Sequence, residues 1–336
     1  MKLFFSIFLV FASCARGDGF TFTVTADSHL DDHTDLALYQ RTLENAAADK
    51  PVFHVDLGDT FMSEKHTNRM EAAKQYLAQR TYFGLLGVPV HLVIGNHDGE
   101  CGRYLDGTTN NLAVWSRAMR TRYFPEPLAA DGRGYYAWTC GNALFVVLDP
   151  FWFTPQPRRS PDNWYRTLGE EQYLWLKRTL EGSRAPFKFV FVHHLVGGLD
   201  KQGRGGVEAA PYCEWGGKNP DGSDGFKEHR PGWAMPIHEL LAANRVAIIF
   251  HGHDHLYAQQ EFGGIVYQEV PQPGDPQGST RSAAEYGYAG GVILPSSGYL
   301  RVNVSAAEAK VEYIGTDKTV RHAYVVPAQT LTHAAP

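Results

Sequence analysis

The sequence predicts a layered α/β fold, and three observations lead to that prediction. Six runs rich in apolar, β-branched and aromatic residues recur along the chain, and such nearly continuous runs are typical of strands buried on both faces. Amphipathic stretches with helical spacing separate several of them, for example at 35–48 and 170–180. The 336 residues, 43% hydrophobic and 20% charged, suffice for one large domain or two ordinary ones. The six predicted strands span 20–26, 51–57, 89–95, 143–149, 187–193 and 245–252.

The first residues, MKLFFSIFLVFASC, precede the first predicted strand and are set aside from the fold. Lys2 is followed by an apolar run that is too short to span a membrane and ends in small residues, which is typical of a secretory signal segment over residues 1–14. Phe11 to Cys14 also resembles a lipobox, in which Cys14 would be lipidated and anchor the protein to a membrane; ordinary cleavage nearby is the alternative. We therefore expect an exported protein that is periplasmic, extracellular or lipoprotein-anchored.

From residue 20 onward no linker divides the pattern, so residues 20–326 are predicted to form a single domain. Residues 196–233 interrupt it as a long Gly-rich connection without a convincing pattern of core residues, which is typical of a functional lid or insertion loop. After residue 257 the strands become short and are separated by Gly turns, so we expect the tail to complete a sheet without further helices.

The net charge argues against nucleic acid as a partner, and the cysteine spacing argues against a cysteine-based zinc site. The formal net charge is −5 and no block of Lys and Arg is present, so the chain lacks the basic surface that nucleic acid requires. Beyond the signal segment, Cys101, Cys140 and Cys213 are widely separated and show no CxxC spacing, which argues against a zinc knuckle. One pair of them could be bridged in an exported protein, and the spacing does not say which.

Side chains with metal-ligand chemistry follow five of the predicted strands, directly where each strand ends. The carboxyl ends of strands are where open α/β sheets build their sites. Carboxylate, amide and imidazole groups without a thiolate suit Mn, Fe, Zn or Ni. Seven candidate ligands suit two ions roughly 3.5–4 Å apart with a shared carboxylate, an arrangement that activates water and neutralises phosphoryl oxygens. The clusters are Asp27-Ser28-His29, Gly58-Asp59, Gly95-Asn96-His97-Asp98, His193-His194 and His251-Gly252-His253-Asp254-His255.

The ordered set D-x-H, G-D, G-N-H-D, H and G-H-x-H resembles the calcineurin-like metallophosphoesterase superfamily over residues 20 to about 260. The resemblance implies a four-layer α/β/β/α sandwich of two mixed sheets with helices on the outer faces. It also implies a metal-dependent phosphoric ester hydrolase, which cleaves phosphomonoesters or phosphodiesters by attack of a metal-bridging hydroxide. Two divalent or trivalent ions are implied, held by Asp27, His29 and His255 on one side, by Asn96, His193 and His253 on the other, and bridged by Asp59.

Further roles follow from the same resemblance. His97 would contact the scissile phosphate or protonate the leaving oxygen, and Asp98 would orient His97 through a hydrogen bond. The chain departs from the purple acid phosphatase branch, because Met62 stands where that branch has a tyrosine ligand and the first motif ends in His29 instead of Gly. No iron–tyrosinate chromophore is therefore expected. His193 is taken as the ligand of the His193-His194 pair because it comes first after the strand.

Three residues are candidate substrate contacts: His194, Arg103 and Arg204. Arg204 lies in the stretch GRGG and could hold a phosphate bidentately, while Trp215 could stack a base; a solvated surface loop is the alternative for this segment. His251 is expected to be a packed histidine and not an eighth ligand.

The phosphoester substrate stays open between a small molecule, a nucleotide and a phospholipid head group, since pocket shape decides between them. A different class of function, a non-catalytic metal-binding scaffold on the same fold, would gain support from a missing ligand position, and none is missing. A two-metal peptidase or amidase is disfavoured because H-E-x-x-H is absent and the order of the blocks differs.

Overall fold

Two β-sheets that pack face to face form the centre of the protein. The computed structural model describes residues 19–31, 33–62, 69–98, 112–124, 133–154, 163–196 and 204–329. The described strands are β1 (Phe20–Thr25), β2 (His54–Asp56), β3 (Val90–Leu92), β4 (Tyr136–Cys140), β5 (Ala143–Val147), β6 (Phe187–Phe191), β7 (Ile248–His251), β8 (Leu256–Phe262), β9 (Ile265–Glu269), β10 (Val292–Pro295), β11 (Gly298–Val304), β12 (Glu308–Gly315) and β13 (Val320–Pro327).

Both sheets are mixed. The first has the order β13-β12-β11-β1-β2-β3, in which β1, β2 and β3 run parallel and the remaining pairs are antiparallel. The second has the order β10-β8-β9-β7-β6-β5-β4, with a parallel block formed by β5, β6, β7 and β9. The parallel blocks end where the predicted ligand clusters begin.

Helices cover the outer face of each sheet. The described helices are α1 (Leu36–Ala48), α2 (Arg69–Gly84), α3 (Leu112–Tyr123), α4 (Gly169–Glu181), α5 (Gly206–Ala209), α6 (Cys213–Gly216), α7 (Phe226–His229), α8 (Ile237–Ala243) and α9 (Arg281–Tyr286), with a 3-10 turn at Asn163–Tyr165. Asp35 caps α1 by accepting from the backbone N–H groups of Ala37 and Leu38. Within the described part of the chain, no helix has both the length and the apolar content needed to cross a bilayer.

Three apolar cores separate the four layers, which confirms the predicted α/β/β/α sandwich. Between the sheets, Phe22 of β1 contacts Phe145 of β5 edge-on, with the ring centroids 5.4 Å apart. One outer core joins α1 and α2 to the first sheet, and another joins α4 and α8 to the second. Alternation explains the unbroken apolar run of β5, because Phe145 belongs to the core between the sheets whereas Leu144 belongs to the helix-covered core.

Two expectations from the sequence are wrong. The tail after residue 257 contains the helix α9 and supplies strands to both sheets; six residues are too few to show a helical period. The described part of the 196–233 segment is not devoid of core residues, because it forms α5, α6 and α7 and buries Trp215 completely. The indole N–H of Trp215 donates to the hydroxyl of Tyr267 at 2.8 Å, so this ring is not available to stack a base. The action of the segment as a lid stays a prediction.

Cys140, at the end of β4, is disulfide-bonded, in line with the bridged pair that the sequence allowed.

His91 on β3 is a histidine held in an aromatic stack. Its ring lies 3.7 Å from that of Trp138 at an interplanar angle of 9°, and it contacts Phe53 edge-on. The side chain is buried and its Nδ1 has no hydrogen-bond partner. Burial, together with the nearby His54, lowers the pKa of His91 to about 3. The native protein therefore contains the neutral imidazole.

We expect the substitution His91→Phe to reduce the acid sensitivity of the fold. The native pKa of about 3 lies below the usual 6.5, so unfolding takes up a proton between these two pH values. The stability that depends on neutral His91 is complete above pH 6.5 and is lost as the pH falls toward 3, by about 1.4 kcal/mol per pH unit. Urea unfolding as a function of pH should show a shallower slope by about that amount in the variant. An unchanged slope would mean that native His91 is already charged.

Candidate metal centre

The structure brings all seven predicted metal ligands to the edge where the parallel strands end. They form two groups whose donor atoms lie within 4.8 Å of one another inside each group: Asp27, His29 and His255 in the first, and Asp59, His193 and His253 in the second. Asn96 joins the second group, because its Oδ1 lies 3.1 Å from Nε2 of His193. The family resemblance implied Asn96, His193 and His253 as one set with Asp59 as the bridge, so the grouping by distance adds Asp59 to that second set.

The first group is centred on Asp27, which is fully buried. Its Oδ1 lies 3.8 Å from Nε2 of His29 and 3.6 Å from Nε2 of His255. Its Oδ2 accepts from the backbone N–H of His253 at 2.8 Å, so this carboxylate also fixes a residue of the second group. His255 is the most exposed of the group, with 38% of its side chain accessible, and it marks the open side of the centre.

The second group is held by a histidine of defined tautomer. Nδ1 of His193 lies 2.9 Å from the carbonyl oxygen of Leu57, to which it can only donate, so Nε2 is the nitrogen free to bind an ion. Nε2 of His193 lies 3.2 Å from Nδ1 of His253 and 3.3 Å from Oδ2 of Asp59. Three nitrogen and oxygen donors thus converge on one point.

Asp59 connects the two groups. Its Oδ2 lies 3.3 Å from Nε2 of His193 in the second group and 3.7 Å from Nε2 of His29 in the first. Its Oδ1 accepts from the backbone N–H of His97 at 2.7 Å. The carboxylate is therefore oriented by one oxygen, and it presents the other between both sets of donors, as a bridging ligand must.

Two orphaned atoms show that a cation fits the first group. Oδ1 of Asp27 and Nε2 of His29 are buried and have no hydrogen-bond partner, although both point toward the other donors of their group. Buried polar atoms without a partner are rare and call for an unseen ion or water. The donors are oxygens and imidazole nitrogens, which suit divalent or trivalent ions of the Mn, Fe, Zn and Ni type.

The electrostatics of the centre also favour positive charge. Burial by itself would raise the pKa of Asp59, but His193, His97 and His29 together lower it below its usual value. Burial would lower the pKa of His193, whereas Asp59 raises it to about 9. The pKa of His29 is raised to about 10 by Asp27 and Asp31 against the opposing effect of burial. Buried anions that draw protons onto their neighbours are suited to bind cations.

The backbone of the predicted ligands adopts an uncommon conformation. Five of the seven predicted ligands have a positive φ, in the left-handed region that residues with a Cβ seldom adopt. Such conformations cluster at functional sites, where the surrounding structure holds them in place. The five are Asp27 (56°), His29 (56°), Asp59 (54°), His253 (87°) and His255 (59°).

Asp98 has different partners from the expected imidazole of His97. Its buried carboxylate accepts from four backbone N–H groups. Oδ1 accepts from Thr60 and Phe61, at 2.8 and 2.9 Å, and Oδ2 accepts from Asp59 and Gly95, at 3.0 and 2.7 Å. The carboxylate therefore joins the loop that carries Asp59 to the loop that carries Asn96. With four backbone N–H groups as its partners, the Asp98 side chain orients these two loops and not the imidazole ring of His97.

Of the three predicted substrate contacts, His194 and Arg204 lie near the second ligand group. The ring of His194 lies 5.1 Å from that of His253, at the rim of the second group, and burial lowers its pKa, so it is a neutral hydrogen-bonding group. Arg204 reaches the same rim but is engaged by Asp254 and by the carbonyl of His253. Arg103 and Cys14 lie outside the described residues. His251 is buried, as expected, and its Nδ1 lies 2.5 Å from Oε2 of Glu269.

Glu269 and Tyr288 were not predicted as parts of the site. Glu269, at the end of β9, is fully buried and accepts from the backbone N–H of Asp254 at 3.0 Å. Tyr288 donates to Oδ2 of Asp254 at 2.8 Å. A glutamate at the end of the buried strand β9 was the one signal in the sequence that pointed to this network.

Comparisons with known proteins agree with this geometry. A sequence model of the calcineurin-like phosphoesterase family matches residues 20–257. The fold is similar to that of purple acid phosphatase PPD1 from yellow lupin (Lupinus luteus) seeds, with a TM-score of 0.63 and 13% identity over 93% of this chain and 54% of that chain. It is also similar to PhoD (TM-score 0.62, 15% identity, 96% of this chain and 74% of that chain). A dimetal phosphatase from Danio rerio has a TM-score of 0.56 and 14% identity, over 93% of this chain and 100% of that chain.

The chain spans about half of the length of the lupin protein. At these identities the likeness to solved structures shows a shared fold alone. No curated protein sequence matches the chain.

We expect Gly95→Ala to disrupt the centre although it replaces none of the seven predicted ligands. A Cβ at this position would lie 2.1 Å from the backbone nitrogen of Asp59 and 2.2 Å from its Oδ1, so the two loops must separate. Overpacking of this kind costs about 1–3 kcal/mol, and here it also moves the bridging carboxylate. Thermal unfolding should show a lower melting temperature, and calorimetric titration with Mn²⁺ or Zn²⁺ should show weaker metal binding.

The matched control is Gly84→Ala, at the end of α2, where a Cβ would meet nothing within 4 Å. We expect it to be neutral or slightly stabilising, since alanine is the better helix former. Unchanged metal binding in Gly95→Ala would show that the close approach of the two loops is not required.

Proposed function

Because the chain belongs to the calcineurin-like phosphoesterase family, we propose that it is a dinuclear-metal phosphoric ester hydrolase that acts on small phosphomonoesters or phosphodiesters. The single observation that carries the proposal is the placement of Asp59, whose Oδ2 lies between a donor of each His/Asp group. A carboxylate shared between two sets of ligands is the arrangement that two-metal hydrolysis requires. All seven ligand positions of the family pattern are filled in this chain.

The chemistry divides between the ions and the chain. When bound, two such ions supply Lewis acidity, which activates water and neutralises the oxygens of the phosphoryl group. The chain supplies the geometry. Asp27 and Asp59 hold the two groups together. The hydrogen bond from Nδ1 of His193 to the carbonyl oxygen of Leu57 fixes the tautomer of this histidine. His194 is kept neutral by burial and donates its Nδ1–H to the carbonyl oxygen of Leu195 at 3.1 Å, so its Nε2 is left to accept a hydrogen bond from a hydroxyl group of the substrate or from water.

His97 is proposed as the group that protonates the leaving oxygen. It follows Asn96 directly, its backbone N–H donates to Asp59 at 2.7 Å, and its ring centroid lies 5.5 Å from that of His29. The side chain is only half-buried, so the imidazole stands at the entrance of the centre and not within it. A half-exposed histidine next to the ions is suited to proton transfer near neutral pH.

The cellular location and the substrate class are proposed from the sequence. The segment at residues 1–14 supports export, either free or anchored through a lipid at Cys14. The formal net charge of −5 argues against nucleic acid as substrate and favours a small phosphoester, a nucleotide or a phospholipid head group.

We expect the purified protein, supplied with Mn²⁺ or Zn²⁺, to hydrolyse p-nitrophenyl phosphate or its bis ester, and a chelator to abolish the activity. Asp59→Ala and Asn96→Ala should each lower kcat/KM by more than about a hundredfold, because even outer partners of a metal ligand are worth 10–100-fold. Glu44→Ala removes an exposed carboxylate on α1 and is the matched control, with unchanged activity.

The same assay decides between an enzyme and a scaffold. A protein that binds two ions with full stoichiometry, and yet cleaves neither of these esters nor any member of a phosphoester panel, would be the non-catalytic metal-binding scaffold. Loss of activity in Glu44→Ala to the same degree as in Asp59→Ala would remove the support for a bridging role.

His97→Gln should discriminate between substrates by their leaving groups. An acidic phenol leaves without a proton, so cleavage of p-nitrophenyl phosphate should fall by less than about tenfold, whereas cleavage of an alkyl phosphate should fall by the 10²–10⁴-fold typical of general acid catalysis. Measurement of kcat/KM for both esters at saturating metal tests this. An equal loss with the two leaving groups would assign His97 to the phosphate instead.

A further inference from the structure

We infer that Arg204 is a positioning residue for the metal centre: through its ion pair with Asp254 it holds the turn that presents His253 and His255. The inference rests on the proposed dinuclear centre. It gives Arg204 a role toward the protein's own ligands, in place of the substrate contact that its position in the sequence suggested.

Asp254 lies between the two predicted ligands and is almost completely buried, with 1% of its side chain accessible. The residues on both sides of it have a left-handed backbone, so the chain reverses direction around Asp254. Its Oδ1 accepts from Nε of Arg204 at 2.6 Å, and its Oδ2 accepts from the hydroxyl of Tyr288 at 2.8 Å. Both oxygens of this carboxylate are therefore used to anchor the turn at residues 253–255.

Arg204 grips two consecutive residues of that turn. Nε donates to the carboxylate of Asp254, and Nη2 donates to the carbonyl oxygen of His253 at 3.0 Å. The guanidinium also stacks on the ring of Tyr286, at 3.6 Å from its centroid. A planar cation held by two bonds and a stack is pre-organised, and a lysine cannot reproduce this geometry.

The glycines that follow Arg204 explain how the segment reaches the turn. A Cβ on Gly205 would lie 2.2 Å from Oδ2 of Asp254 and 2.5 Å from the hydroxyl oxygen of Tyr288. A Cβ on Gly206, which has φ +63°, would lie 2.2 Å from Oε1 of Gln260. Only residues without side chains allow the backbone to pass this close, so the R-G-G run docks Arg204 on the ligand turn.

The charge balance also requires Arg204 at this position. Asp254 and Glu269 are two buried carboxyl groups in contact through the backbone N–H of Asp254. Arg204 is the guanidinium that pairs with Asp254, and removal of one partner of a buried pair leaves an uncompensated charge. Because His253 belongs to one ligand group and His255 to the other, release of this turn would weaken both ion sites at once.

The experiment is a calorimetric titration of the full chain with Mn²⁺ or Zn²⁺, combined with kcat and KM at saturating metal. We expect Arg204→Gln to weaken binding of both ions by about 10–100-fold, as partners of metal ligands typically do, with KM unchanged. Arg204→Lys should recover only part of this loss. In Asp254→Asn the effect of Arg204→Gln should largely disappear, because the two residues act through the same bond.

The matched control is Arg230→Gln. Arg230 makes an ion pair of the same length, 2.6 Å from Nε to Oε2 of the buried Glu214, in the same part of the chain. It does not hydrogen-bond to the ligand turn in the described residues, so we expect its loss to affect the melting temperature but not metal affinity. Equal weakening of metal binding in both variants would overturn the inference, because the effect would then be general destabilisation.

Two other outcomes are decisive. A wild-type protein that binds two ions, together with an Arg204→Gln variant that binds them equally well but has a KM raised tenfold, would overturn the inference alone and make Arg204 a substrate contact. A wild-type protein that binds no pair of ions would overturn the proposed dinuclear centre and the inference with it.

Discussion

The carboxylate of Asp59 is the contact on which the rest of the site depends. One oxygen accepts the backbone N–H of His97, and the other lies between the donors of both ligand groups. This is possible only because two loops come so close that neither tolerates a side chain. A Cβ on Gly58 would lie 2.4 Å from the backbone nitrogen of Gly95, and a Cβ on Gly95 would collide with Asp59. The two glycines therefore allow the close approach of the loop that carries Asp59 to the loop that carries Asn96.

The centre spans the seam between the two sheets, and the core between them fixes its width. Loops that follow β1, β2 and β3 in the first sheet deliver Asp27, His29, Asp59 and Asn96, whereas loops that follow β6 and β7 in the second deliver the other three histidines. Beneath the seam, Phe22 of the first sheet contacts Phe191 and Phe250 of the second, with ring centroids 6.3 and 6.2 Å apart. A close-packed core has low compressibility. The packing of these aromatic rings therefore fixes the distance between the ligands carried by the first sheet and those carried by the second.

Much of this arrangement could be predicted, because buried parallel strands and the polar residues at their ends are local signals. Asp59 and His253 are visible in the sequence as acids and imidazoles that follow apolar runs. Their left-handed backbone is not visible, nor are the four amides around Asp98, because both depend on loops brought together from distant parts of the chain. Trp215 was missed as a core residue because a Gly-rich segment with four-residue helices carries no readable period.

The distribution of charge around the seam follows a simple rule. The outer acid, Asp254, is neutralised by the chain itself through Arg204, whereas the inner acids, Asp27 and Asp59, face imidazoles whose pKa values they raise. Because buried carboxylates that face each other repel, the inner pair is stable only with positive charge between them, supplied either by protons on histidine or by bound cations. Ions that bind only to the folded chain stabilise it by mass action. The same carboxylates that make the centre competent to hold metal therefore couple its occupancy to the stability of the two-sheet fold.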